Sequence, residues 1–231
     1  MMKLTEQNID NLYKFTRQHY VEHYDVQTEL VDHLANDIEQ ILAEQPTLSF
    51  EQARTISFKK FGIFGFMDVV EEKQKQMSKK YYKIILNFIK EWFGFPKILL
   101  TLTVFYCFYL LLQFSYAQYL FPAFFFTIIM IEFIVMFKKR KMLNIKFKTT
   151  GKKWMLEDII ETQGYGNVVF GLFYIFQFLT PNSYQNLSTL ASFTIATATT
   201  LAFIIGYISL VIIPQKAEQL LEEHYPEYKL S

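Results

Sequence analysis

Charge is excluded from two long stretches of this chain, and the basic residues gather between and before them. From residue 98 to 131 the only ionisable groups are Cys107 and tyrosines, and from 167 to 213 only tyrosines. Between the two lie Lys138, Lys139, Arg140, Lys141, Lys146, Lys148, Lys152 and Lys153. Roughly 20 apolar residues cross a bilayer core of about 30 Å. The runs 97–116, 119–137, 165–180 and 187–213 therefore read as four spans, the third of them short. The turn at 114–118 and the loop at 181–188 carry no charge, whereas the central loop and the segment 79–97 are rich in lysine. Basic residues in short loops stay on the cytoplasmic side. The expected protein is thus a multi-pass protein of the inner (plasma) membrane with both termini and the central loop cytoplasmic.

Net charge is only +1 over 231 residues, which gives no overall bias toward nucleic acid. Aromatic residues make up 18% of the chain, a level suited to lipid and its interfaces. A single cysteine, Cys107, leaves the redox compartment open. The polar, acidic start lacks the basic-then-apolar layout of a cleaved signal peptide, so the first span is expected to direct insertion.

The expected fold class is all-α: a small cytoplasmic helical domain (1–75), an amphipathic membrane-proximal helix (76–96), a four-helix transmembrane bundle (97–213) and a cytoplasmic tail (214–231). Thr5 is placed to cap a first helix reaching about His19, with Ile9, Leu12, Tyr13, Phe15 and Thr16 at helical spacing. Asp25 is placed to cap a second helix to about Glu44, whose Val26, Leu30, Leu34, Ile38, Ile41 and Leu42 form one apolar stripe. Ser49 and Gln52 fit a capping box, and Ala53, Ile56 and Phe58 mark a third helix that Gly62 stops. A longer helical pattern runs from Phe66 through Trp92, with an aromatic face ringed by lysines that suits the headgroup boundary. Gly94-Phe95-Pro96 then turns the chain into the first span. Trp154, Met155, Ile159 and Ile160 set against Glu157, Asp158 and Glu161 suggest an interfacial helix before the third span.

Few residues suggest chemistry. Glu132 is the one carboxylate inside a span, and such a group is a functional-site hypothesis by default. It lies about 9 Å along the helix from Lys138, at roughly 1.5 Å per residue, so a lysine at the interface offers a plain partner. Gln113 and Gln177 are explained by interhelical hydrogen bonding. Thr194, Ala198, Ala202 and Gly206 form a ladder of small groups that predicts a packing seam, within the chain or to a second copy. Glu29, His33 and Asp37 stand one helical turn apart; they offer zinc ligands, or a ridge in which His33 latches onto Asp37. His19, His23 and His224 complete no tetrahedral set. No nucleophile elbow, glycine-rich phosphate loop or zinc-protease pair is present, so neither an enzyme nor a cofactor is expected. Between Gln18 and Ala53 there is no lysine or arginine, and Asp25, Glu29, Asp32 and His33 stand out there as a surface for a basic cytoplasmic protein. The lysine-rich stretch from Arg54 to Lys97 favours anionic lipid headgroups.

The stretch Tyr24-Asp25-Val26-Gln27-Thr28-Glu29-Leu30-Val31-Asp32-His33-Leu34, followed by Ser49-Phe50-Glu51-Gln52-Ala53 and Phe61-Gly62, resembles the small three-helix HAAS-type domain at the N-terminus of bacterial multi-pass membrane proteins. Glu29, His33 and Leu34 match its first motif, and Glu51, Ala53 and Gly62 its second. The resemblance covers about residues 5–75. It implies a regulatory or signalling membrane protein, often paired with a PadR-like transcriptional regulator, and so no direct contact with nucleic acid. The other reading of the residues is a small transporter or transporter subunit with Glu132 and Gln177 along a path.

Overall fold

A computed structural model describes residues 3–163, 170–171, 173–174, 176–177, 187–225 and 228. Every regular element among them is helical. The chain divides into two compact units, Met1–Lys79 with Thr150–Leu156, and Lys80–Thr149 with Glu157–Ser231.

The first unit contains α1 (Glu6–Gln18), α2 (Tyr24–Glu44), α3 (Phe50–Lys59) and the start of α4 (Met67–Trp92). Thr5 caps α1 by accepting the Asn8 amide, and Ser49 and Gln52 close the capping box on α3. The α2 stripe is the core: Val26, Leu30, Leu34, Ile38 and Ile41 are buried together with Leu12, Ala53 and Phe66. Asp25, however, does not cap α2. The helix begins at Tyr24 with His23 at the N-cap, so Asp25 already lies in the first turn. On α3 the buried residues are Ala53 and Ser57, while Ile56 is exposed; the stripe is rotated by one residue because Phe58 turns toward an aromatic cluster. There Phe58 meets Phe15 at 5.2 Å and Phe66 at 4.8 Å between ring centroids. Gly62 follows in the left-handed region (φ +80), which a side chain rarely adopts, and ends the α3 segment.

The second unit contains the rest of α4, then α5 (Lys97–Gln113), α6 (Ala117–Thr150), the end of the short α7 (Met155–Asp158) with a π-type turn Ile159–Gln163, α8 (Thr189–Gln215) and α9 (Ala217–His224). Helices α6 and α8 are each long and apolar enough to cross a membrane. A third candidate arises if α4 and α5, bent by 91° at their junction, count as one broken span. Only 17% of the apolar window of α6 is buried, as expected of a helix apolar on all sides that faces lipid. The run 165–180 lies largely outside the described residues. The basic stretch after Phe137 is not a loop: α6 stays helical to Thr150, because nothing in 138–150 breaks it until Gly151 adopts φ +68.

Helices α5 and α8 lie side by side, and Phe108, Leu112, Phe121, Phe125, Ile195 and Ala196 form the core at one end. The expected ladder on α8 is only half inside: Ala202 and Gly206 are buried, Ala198 is half-buried and Thr194 is exposed. The buried seam runs instead through Ser192, Ala196 and Thr199, which are equally small and sit on the adjoining face.

Candidate functional sites: a gripped segment and a carboxylate cavity

In the first unit the C-terminal end of α1 and the N-terminal end of α2 hold Thr150–Leu156, the segment that follows α6. The first amides of a helix have no partner within it. The Tyr24 amide donates to the Lys153 carbonyl at 2.7 Å, and the Asp25 carboxylate accepts the Met155 amide at 3.3 Å. Arg17 donates to the Gly151 carbonyl at 3.1 Å, and Lys153 Nζ lies 3.2 Å from Glu22. Trp154 is 3% exposed and stands edge-on to Tyr24 at 5.3 Å, and Lys152 Nζ lies over the Tyr24 ring at 4.8 Å. Met155 and Leu156 are buried as well. This corrects the interfacial-helix reading of 154–162. Its apolar side chains are covered by protein, and part of the acidic surface already holds a basic, aromatic stretch of this chain.

The remaining acidic residues of α2 take separate paths. Glu29 pairs with Lys73 at 2.6 Å and Asp37 with Lys60 at 2.6 Å. Burial raises the Asp37 carboxyl, but Lys60, the Ser57 hydroxyl and the nearby His33 together outweigh it and hold the group below its ordinary value. The expected His33 latch is therefore replaced by a lysine. His33 is exposed and stands edge-on to Phe61 at 5.8 Å, and Asp32 is exposed beside it. His19 is drawn into the aromatic cluster, 4.2 Å from Phe15 and 4.5 Å from Phe58, with Nδ1 2.8 Å from the Phe15 carbonyl oxygen. The side chain of His224 lies outside what is described.

In the second unit Glu157 and Glu161 are also buried. Glu157 meets Lys146 at 2.5 Å, Glu161 forms an ion pair with Lys139 at 2.9 Å, and the Tyr228 hydroxyl reaches both Lys146 (2.6 Å) and Glu157 (3.0 Å). Lysines two turns apart on α6 face glutamates four residues apart in antiparallel order. Composition indicated the basic stretch but not this pairing, because the helical phase of 138–150 was hidden by its loop-like polarity.

A cavity of about 240 Å³ opens among α5, α6 and α8. From α6 it is lined by Phe124, Phe125, Ile128, Ile131, Glu132 and Val135, the three- and four-residue steps of one helix face. Thr199, Phe203, Gly206, Tyr207 and Leu210 line it from α8, and Phe108 from α5. Glu132 is 6% exposed and its Oε2 has no hydrogen-bond partner among the described residues. It does not reach a lysine as the sequence suggested; the α6 lysines at 139 and 146 are committed to Glu161 and Glu157. Thr199 Oγ1, also on the cavity wall, is buried without a hydrogen-bond partner among the described residues. Sequence reading reached Glu132 through its charge but missed Thr199, which is one of many threonines on α8. Gln177 is exposed and is not among the described residues that line the cavity. No family model matches this chain, and no curated protein or solved structure matches it either.

Proposed function

We propose that this chain is a regulatory or signalling adaptor of the bacterial inner membrane, with four spans and cytoplasmic termini, whose HAAS-like N-terminal helices form a protein-interaction domain. The observation that carries this reading is the grip of the first unit on Thr150–Leu156. A surface made of Arg17, Glu22, Tyr24 and Asp25 holds backbone, lysine and tryptophan of an irregular segment that follows directly from a membrane-crossing helix. Such a surface suits a basic cytoplasmic protein, for which a PadR-like regulator is the candidate, and Asp32 and His33 are exposed next to it on α2. Release of the segment would then report the state of the spans to that partner. Cross-linked pull-down from native membranes tests this. Replacing Asp25, Glu29, Asp32 and His33 together by alanine is expected to remove a basic co-purifying protein; if every co-purifying protein stays, the reading fails.

The topology carries its own expectation. A reporter fused after Ser231 is expected to be active only in its cytoplasmic form, since lysine-rich segments flank one side of an even number of spans. An extracytoplasmic signal would require an odd number and overturn the arrangement. The transporter reading is favoured by one observation, a Glu132 without a hydrogen-bond partner for Oε2 among the described residues, and loses support from the exposed position of Gln177.

A further inference from the structure

We propose that the cavity between α6 and α8 is a binding site for a small lipophilic ammonium compound, with Glu132 as its counter-charge. This goes beyond the partner-binding reading of the N-terminal unit and does not rest on it. A carboxylate removed from water is costly unless paired, and it is costlier inside a membrane. Glu132 Oε2 is buried and has no hydrogen-bond partner among the described residues. No lysine, arginine or histidine is among the described residues that line the space. The carboxyl meets that cost either by taking up a proton or by pairing with a cation, and the cavity leaves room for such a cation.

The walls fit that charge. Phe108, Phe124, Phe125, Phe203 and Tyr207 line the cavity, and the faces of such rings attract ammonium groups while their bodies favour hydrocarbon. Thr199 supplies an acceptor for an N–H. Its neighbours Thr197 and Thr200 return their hydroxyls to the carbonyls of Phe193 and Ala196 at 2.8 and 2.7 Å, whereas the Thr199 hydroxyl makes no such bond. A lipid acyl chain would fill the space but leave both polar atoms unsatisfied. The volume of 240 Å³ is below the roughly 300–1,000 Å³ of drug-sized sites, which points to a ligand of one ring and a short chain.

The full chain in nanodiscs of neutral lipid tests the assignment by equilibrium dialysis at neutral pH, with protein-free discs as the partition control. The probes are phenethylammonium and propylbenzene, in which a methyl replaces the ammonium. Saturable binding of phenethylammonium, at least tenfold tighter than propylbenzene, is expected. Glu132→Gln should abolish that preference, Glu132→Asp should keep most of it, and Thr199→Val should weaken the amine several-fold without affecting propylbenzene. Each variant is first checked for native helicity and a single elution peak. Equal binding of the two probes, no saturable binding of either, or an undiminished preference in a folded Glu132→Gln protein would overturn the proposal.

Discussion

Trp154→Ala is expected to release Thr150–Leu156 from the N-terminal helices while leaving those helices folded. The indole is 3% exposed and packs on Tyr24, so its loss removes a large buried apolar contact of the segment. Truncating a buried tryptophan costs about 3–5 kcal/mol, and each 1.4 kcal/mol is tenfold in an opening equilibrium. Hydrogen exchange in the full chain reads the effect at the Tyr24 amide, which is bonded to the Lys153 carbonyl. Its protection should fall by about two to three decades. Amides within α2 around Leu34, whose protection depends on the core, should change little. Lys153→Ala is the informative contrast. Its ion pair with Glu22 has side chains 28% and 69% exposed, and exposed pairs contribute about 0–1 kcal/mol. A Lys153→Ala effect as large as that of Trp154→Ala would mean that charge, not the indole, holds the segment.

The N-terminal helices were legible in the sequence because two local signals agree there. The apolar stripe of α2 has helical spacing, and Thr5 and Ser49 occupy true N-caps with their partners three residues on. Asp25 shows the limit of such a signal: an acid ahead of an apolar stripe reads as a cap, yet its carboxylate is taken by an amide from a segment 130 residues away. Pairings of that range leave no trace in local pattern. The same holds for residues 138–150. Their polarity reads as a loop, while their role depends on Lys139 and Lys146 facing Glu161 and Glu157. Glu132 was conspicuous because carboxylates are rare in spans. Its setting among rings from three helices follows from how α5, α6 and α8 pack, which composition does not encode.

Lys146→Ala is expected to be more damaging than Glu157→Gln, because the two changes leave different groups behind. Without Lys146, Glu157 remains buried beside the Tyr228 hydroxyl at 3.0 Å, with its counter-charge gone. Removing one member of a buried pair costs about 3–5 kcal/mol. The Lys146 side chain is 40% exposed, so water reaches the site and the cost should fall to about 2–3 kcal/mol. Glu157→Gln keeps an acceptor oxygen for both Lys146 and Tyr228 and loses only the charge assistance, about 1–2 kcal/mol. Thermal unfolding of the detergent-solubilised chain should rank the variants in that order. Lys146→Ala combined with Glu157→Ala should be less harmful than the sum of the single changes, by about 1–3 kcal/mol, since removing both charges leaves none uncompensated. Strict additivity would mean that the short contact between Lys146 and Glu157 contributes nothing of its own. The junction after α6 would then rest on the Lys139–Glu161 pair and the buried Ile159 and Ile160.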